Sequence, residues 1–215
     1  MELTRVSFIH APEPLFAKNQ TYGAQFMPVW AYTLAAHIAD RSHIVMSLYD
    51  CRFQNLSEID KADVFLFSGM NQDCENLSRI CRHLGSLYPD AKYLVGGPIC
   101  WSFDKAGDLD RLKDFDHICI GDGEEMIGEI LDEISAGNLL PPVITAPERF
   151  QIGDARPLYR PLVEGTHHRY YGAVLEVSRG CPFLCEFCDI RILKDNNRPH
   201  NKHAALIVQE LDYLS

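Results

Sequence analysis

The chain has 215 residues, of which 47% are hydrophobic and 23% are charged. This composition argues against a disordered protein and fits one large or two modest globular domains. The net charge of -10 argues against a broad nucleic-acid-binding surface. No apolar run approaches the roughly 18 residues that a membrane-spanning helix needs, and the first residues do not resemble a signal peptide. We therefore expect a cytoplasmic protein with no membrane partner.

Strand and helix patterns alternate through residues 1–136. Runs of β-branched and aromatic residues predict five strands, at residues 4–10, 44–49, 63–69, 91–95 and 117–120. Apolar residues at helical spacing predict helices at residues 28–40, 74–87 and 124–135. This alternation is typical of α/β proteins, so we predict a Rossmann-like (flavodoxin-like), doubly wound parallel sheet over residues 1–136.

Small residues follow several of the predicted strands. Ligands of such sheets bind at the carboxyl ends of the strands, where glycine lets the backbone approach a ligand closely. The candidates for cofactor contact are Ser68, Gly69, Gly96, Gly97, Pro98, Gly121 and Gly123. These residues could equally be turn residues without a ligand.

Acidic residues are grouped at the predicted start of the helix at residues 124–135. They are Asp122, Glu124, Glu125 and Glu129. Negative charge at a helix amino terminus complements the helix macrodipole, and this explanation suffices without a role in a site.

The chain changes character after residue 136. Five prolines punctuate residues 137–171, which predicts an extended, proline-rich linker. Residues 172–215 then hold a sixth predicted strand at 173–178, a loop with three cysteines, and a helix at 201–214 with one apolar face.

The loop carries Cys181, Cys185 and Cys188 in the spacing Cys-x3-Cys-x2-Cys. Three thiolates can bind three irons of a [4Fe-4S] cluster and leave the fourth iron open to a small molecule. Structural zinc is the alternative, and it usually takes four ligands, with His200 or His203 available as the fourth. The five other cysteines are interpreted mainly as packing residues.

With Phe187 added, the loop resembles the radical S-adenosylmethionine (SAM) superfamily, whose signature is Cys-x3-Cys-x-aromatic-Cys. The resemblance implies that the open iron binds the amino and carboxylate groups of SAM. An electron from a low-potential donor would then cleave the sulfonium bond and give a 5'-deoxyadenosyl radical. The resemblance also implies that Phe187 packs near the adenine and that Arg179 and Gly180 shape the loop.

The domain order resembles one class within that superfamily, the cobalamin-binding class. The resemblance is carried by the Gly-Gly-Pro turn at 96–98, the Gly-Asp-Gly-Glu-Glu turn at 121–125 and the linker before the cysteine loop. It implies a corrinoid on the carboxyl ends of the strands, contacted by the small residues named above, with its nucleotide tail running into the sheet. The Asp-x-His-x-x-Gly motif that supplies a histidine to cobalt elsewhere is absent, so a domain that has lost cobalamin stays open.

Together the resemblances imply a radical SAM enzyme, or the amino-terminal portion of one, that acts on a small molecule or peptide by methyl transfer or radical rearrangement. A full barrel takes about 200 residues or more, far more than follow the cysteine loop. We therefore expect only the first strand, loop and helix of a partial barrel, to be completed by a carboxyl-terminal region or a partner. The alternative is a non-catalytic corrinoid- or partner-binding module with a vestigial cluster loop.

Overall fold

A six-stranded parallel sheet forms the centre of the molecule. The computed structural model describes residues 3–13, 26–188, 190 and 198–214. The strand order is β2-β1-β3-β4-β5-β6, with each neighbouring pair parallel. The strands are β1 (Thr4–His10), β2 (Ile44–Asp50), β3 (Val64–Ser68), β4 (Lys92–Gly96), β5 (His117–Ile120) and β6 (Val143–Thr145). This topology confirms the predicted Rossmann-like fold.

Helices cover both faces of the sheet, which explains why strands such as β3 are apolar throughout. The helices in the described residues are α1 (Val29–Ile38), α2 (Cys74–Leu87), α3 (Pro98–Ala106), α4 (Ile127–Ser135), α5 (Arg160–Thr166) and α6 (Ala204–Leu214). One core lies between the sheet and α2 with α3. The other lies between the sheet and α1, α4 and α5.

Helix α3 was not predicted from the sequence. It begins at Pro98, directly after Gly97, and its carboxyl-terminal cap is Gly107 in the left-handed conformation. Proline in the first turn and glycine after the last turn are favourable at helix ends, since proline lacks an N–H and glycine tolerates positive φ. The Gly-Gly-Pro turn thus starts a helix as well as ending β4.

The prediction of an extended linker over residues 137–171 is wrong for two of its parts. Residues Val143–Thr145 form β6, which pairs in parallel with β5, and Arg160–Thr166 form α5. Leu162 and Val163 of α5 are buried against α1, so this helix belongs to the sheet domain's core. The prolines fit because Pro142 precedes an edge strand and Pro161 lies in the first turn of α5. The boundaries between the predicted domains stay predictions.

The predicted strand at 173–178 is also largely wrong. Only Ser178–Arg179 form a strand, β7, and it pairs antiparallel with β8 (His200–Asn201). In the described residues no strand pairs with residues 173–177, and an extended segment that pairs with no other strand is not part of a sheet. The helix predicted at 201–214 is confirmed as α6.

The charged residues Lys202 and Glu210 fix α6 in place. Lys202 Nζ lies 2.8 Å from Glu210 Oε2, and Glu210 Oε1 accepts a hydrogen bond of 3.1 Å from Leu158 N–H. Both side chains are almost completely buried. The last helix is therefore attached to the segment before α5.

Among the described residues, none of the helices has the length and the apolar character needed to span a membrane.

Candidate functional site

A cavity of about 360 Å³ opens at the carboxyl ends of β3, β4 and β5. It runs between the sheet and helices α1 and α4, where Leu66, Leu94 and Cys119 form one wall and Leu34 and Ile127 form another. The interior is apolar because these positions lie on the faces that the sheet and helices turn toward each other. Its position at the strand ends is where ligands of this fold class bind.

Most of the small residues selected from the sequence line this cavity. Those on its wall are Ser68, Gly96, Gly97, Pro98, Gly121 and Gly123. Gly69 is the exception: it packs against Leu77, whose Cδ1 would lie 2.7 Å from a β-carbon added there. Six of the seven residues thus lie on the cavity wall, and their contact with a cofactor stays a prediction.

Two of these glycines are required by the local backbone. Gly97 has φ of 85°, and a β-carbon there would collide with Ser68 Oγ. Gly121 has φ of 106°, and its β-carbon would lie 2.8 Å from that of Ala146. Gly96 differs, since its nearest contact would be Cys119 Cβ at 3.8 Å. The turn explanation thus holds for Gly97 and Gly121, and a ligand contact at these residues stays a prediction.

The cavity also contains residues that the sequence analysis did not select. Trp30 and Trp101 are the two tryptophans of the chain, and both line it. Trp30 donates its Nε1–H to His10 Nδ1 at 3.4 Å and contacts the Phe8 ring edge-on. Burial lowers the pKa of His10 to about 4, so this histidine is neutral at pH 7. The spacing of apolar residues, which predicted the strands and helices, does not predict these contacts of Trp30 with His10 and Phe8.

Arg179 lies at the mouth of the cavity, two residues before Cys181. Its guanidinium contacts three carboxylates: Asp122 Oδ1 at 3.0 Å, Glu124 Oε1 at 2.7 Å, and both oxygens of Glu176 at 2.9 Å. None of these four side chains is more than 26% exposed to solvent. This arrangement links the turn after β5 to the start of the cysteine loop.

The helix-dipole explanation of the acidic group needs correction for Asp122 and Glu124. Helix α4 begins only at Ile127, and these two carboxylates bind Arg179 instead of serving the helix amino terminus. Asp122 Oδ2 also accepts a hydrogen bond from Phe150 N–H at 3.0 Å. Burial raises the pKa of Asp122, as expected for a carboxyl group shielded from water. Only Glu129 lies in the first turn of α4.

The three loop cysteines lie near the protein surface. Cys185 is exposed, Cys181 and Cys188 are partly exposed, and the Phe187 side chain is 90% exposed. Cys188 N–H donates a hydrogen bond of 3.1 Å to Cys185 O, which makes the loop turn back on itself. The thiols are therefore accessible to an incoming cofactor.

The three loop cysteines suit an iron–sulfur cluster, and zinc stays the alternative that the sequence left open. Within the described part of the chain, no group of three His, Cys, Asp or Glu side chains is arranged to hold one metal ion. His200, considered as a fourth zinc ligand, accepts a hydrogen bond of 3.0 Å at Nδ1 from Ile152 N–H, and its Nε2 is buried without a hydrogen-bond partner. Zinc needs its ligands around a single atom. In a cluster each cysteine binds a different iron, so soft thiolates spread along one loop suit it.

Four of the five remaining cysteines lack this exposure, and Cys51 is partly exposed. Cys74, Cys81, Cys100 and Cys119 are buried, and burial raises the pKa of the Cys81 and Cys119 thiols to about 12. Cys81 donates its S–H to Asp114 O at 3.0 Å. These thiols therefore stay protonated at pH 7 and serve packing, in agreement with the sequence interpretation.

The cavity fits part of a corrinoid and not the whole. A volume of about 360 Å³ with an apolar interior suits a flat aromatic or apolar group, while a corrin ring would lie outside, at the strand ends. His10 is not among the described residues that line the cavity, and its Nδ1 accepts the hydrogen bond from Trp30.

Comparison with known proteins finds methyltransferases. An uncharacterized methyltransferase of Synechocystis sp. is 31% identical over 174 residues, which are 78% of this chain and 30% of that protein. A hopanoid C-2 methylase of Rhodopseudomonas palustris is 28% identical over 202 residues, 89% of this chain and 35% of that protein. The chain thus spans about a third of the length of the curated relatives it matches. No protein-family model matches it.

One solved structure shares the fold of nearly the whole chain. It is the radical SAM methyltransferase TsrM from Kitasatospora setae, bound to its tryptophan substrate and the SAM analogue aza-SAM. The TM-score is 0.68 over 98% of this chain and 45% of that chain, at 15% sequence identity. At this identity the similarity shows a common fold, and it includes the segment that carries the cysteine loop.

Proposed function

We propose that this protein is a radical SAM methyltransferase that binds a [4Fe-4S] cluster at Cys181, Cys185 and Cys188 and a corrinoid at the cavity. The observation that carries this proposal is that Glu176, Arg179 and Gly180 line the same cavity as the glycine turns after β4 and β5. The loop expected to hold the cluster therefore borders the site expected to hold the corrinoid. The similarity to methyltransferases over most of the chain supports the reaction class.

The cofactors supply the difficult chemistry when bound: the cluster and SAM supply reductive bond cleavage, and cobalamin supplies methyl transfer. The residues of this chain hold and orient them. Each of the three cysteines binds one iron, and the exposed ring of Phe187 is available to cover the adenine of SAM. The apolar walls of the cavity would shield from water whichever part of the corrinoid entered it. The substrate is a small molecule or peptide that enters at the strand ends.

Tryptophan fluorescence tests the corrinoid part directly, because both tryptophans line the cavity. Titration with hydroxocobalamin should quench the emission with saturation. Gly96→Leu places a side chain in the cavity without a backbone clash, since its β-carbon would meet nothing closer than 3.8 Å, and it should abolish saturable quenching. Gly85→Leu is the matched control, because Gly85 lies on α2 with open space around it. Equal quenching of all three proteins would overturn corrinoid binding at this site.

A second candidate function has one specific observation in its favour. The cavity is formed mainly by the sheet domain, whereas the loop side chains Cys185 and Phe187 face solvent. A corrinoid- or partner-binding module without catalysis would need only the cavity. Release of 5'-deoxyadenosine from SAM under a low-potential reductant separates the two, because a binding module releases none and the enzyme releases it only with Cys185 intact.

A further inference from the structure

We infer that Arg179 is a positioning residue that couples occupancy of the cavity to the placement of the cysteine loop. The inference deepens the proposed function and rests on it. It starts from a guanidinium that joins both parts of the site: Arg179 binds Asp122 and Glu124 of the turn after β5, and it lies two residues before Cys181.

All three nitrogen atoms of the Arg179 guanidinium donate hydrogen bonds to carboxylates. Nη1 contacts Asp122, Nη2 contacts Glu124, and Nε with Nη2 form a bidentate pair with Glu176. The planar group also lies over the Phe150 ring, with Cζ 5.8 Å from the centroid. A guanidinium presents its donors in a rigid fork, so these contacts fix the direction of the side chain. The backbone at the start of the loop is fixed with it.

The charges make the arrangement depend on Arg179. Three carboxylates bind the Arg179 guanidinium, and the exposed fractions of the side chains are only 6% for Glu124 and 15% for Asp122. Without the guanidinium these carboxylates would repel each other in a region that water reaches poorly. The turn after β5 and the segment before Cys181 would then separate.

Gly121, Asp122, Gly123 and Glu124 also form part of the cavity wall. A corrinoid that orders this wall must therefore favour the loop position that Arg179 maintains. By linkage, a loop ordered by its cluster must favour the wall that binds the corrinoid. The two cofactors should bind with positive coupling, and the coupling should pass through Arg179.

The test measures hydroxocobalamin affinity by tryptophan fluorescence in cluster-free and anaerobically reconstituted protein. In the wild type, reconstitution should tighten corrinoid binding by about fivefold or more, the usual size of a coupling between sites. In Arg179→Gln the ratio of the two dissociation constants should fall to about 1, although iron content and corrinoid binding persist. Arg179→Lys keeps the charge but loses the fork, and it should restore part of the ratio.

The experiment also needs a control variant, a substitute variant and a statement of the outcomes that would contradict the inference. Arg160→Gln removes an exposed Arg–Glu pair far from the cavity mouth, and it should keep the wild-type ratio. If Arg179→Gln does not fold, Asp122→Asn replaces it, since the amide oxygen can still accept the Phe150 N–H while the charge is lost. A wild-type ratio of 1, or an unchanged ratio in Arg179→Gln, overturns this inference alone. Wild-type protein that binds neither cofactor overturns the proposed function and this inference with it.

Discussion

Lys202 and Glu210 form a buried ion pair, with Nζ 2.8 Å from Oε2 and 3.1 Å from Oε1. The pair joins Lys202, two residues before the first residue of α6, to the middle of that helix. Because Glu210 also accepts the Leu158 N–H, the pair holds the last helix against the sheet domain. Lys202 N–H donates to Val177 O at 2.9 Å, so the segment before β7 is held by the same residue. The cysteine loop is thus bounded by contacts to the sheet domain on both sides.

Removing one partner of this pair should destabilise the protein strongly. Lys202→Met leaves the Glu210 carboxylate buried without a cation, and we expect a loss of about 3 to 5 kcal/mol in the free energy of unfolding. Urea denaturation measures it. The double substitution Lys202→Met with Glu210→Gln removes both charges and keeps an acceptor for Leu158 N–H, so most of the stability should return.

The control for this prediction is Arg160→Gln. Arg160 and Glu164 form an exposed i,i+4 ion pair, which contributes only about 0.3 to 0.5 kcal/mol. If Lys202→Met costs no more than Arg160→Gln, the buried pair does not hold α6 in place.

The stability of the protein should fall in mild acid because of His10. Burial lowers its pKa to about 4 from 6.5, with Asp50 and Asp73 opposing and Arg52 assisting the shift. The unfolded chain binds the proton below pH 6.5 and the native state only near pH 4. Stability is therefore fully present above pH 6.5 and decreases as the pH falls, by roughly 3 kcal/mol at pH 4.

The measurement is the free energy of unfolding between pH 7.5 and pH 4 in the wild type and in His10→Gln. Other groups contribute equally to both proteins, so the difference isolates His10. The variant should show a shallower loss of stability, while His83→Gln, at an exposed position on α2, should match the wild type. Parallel curves for His10→Gln and the wild type would contradict the assigned burial of His10.

Substitution by alanine should destabilise the protein more at Gly97 than at Gly107, which is also a glycine with positive φ. Gly97 and Gly107 have φ of 85° and 73°, but a β-carbon at Gly107 meets nothing within 4 Å, whereas at Gly97 it collides with Ser68 Oγ. Gly107→Ala should cost about 1 to 2 kcal/mol through the left-handed backbone. Gly97→Ala should cost about 1 to 3 kcal/mol more through overpacking.

Thermal or urea unfolding compares these two variants, and the corrinoid titration extends the comparison. Gly97→Ala should also weaken quenching of Trp30 and Trp101 by hydroxocobalamin, because the turn forms the cavity wall. Gly107→Ala should leave the titration unchanged. Equal effects of both substitutions on stability and on binding would show that the turn does not shape the cavity.

Much of the architecture could be predicted from sequence because strands such as β3 are apolar on both faces and end in glycine turns. The edge strand β6 could not, since Val143–Thr145 is short and half-exposed and has no alternation to recognise. Helix α3 was not predicted because the Gly-Gly-Pro residues were interpreted as a ligand contact or as a turn, although Pro98 is also favourable in a first helical turn.

The site was predictable in its position and not in its electrostatics. Cys181, Cys185 and Cys188 follow from spacing, and the strand ends follow from the parallel sheet. The contact of Arg179 with Asp122 and Glu124 joins residues 57 and 55 positions apart, and a single sequence carries no signal for such a pair. Trp30 and Trp101 likewise come to line one cavity only after α1 and α3 have packed on opposite faces of the sheet.

The most direct test of the central claim is an electron paramagnetic resonance spectrum of the reconstituted, reduced protein with and without SAM. The account predicts the signal of a reduced [4Fe-4S] cluster whose g-values shift when SAM is added, because one iron has no cysteine ligand. Cys185→Ala should abolish the intact cluster signal, and Cys51→Ala, outside the loop, should retain both signal and shift. A wild-type protein with no cluster signal, or with a signal that SAM leaves unchanged, would contradict the account.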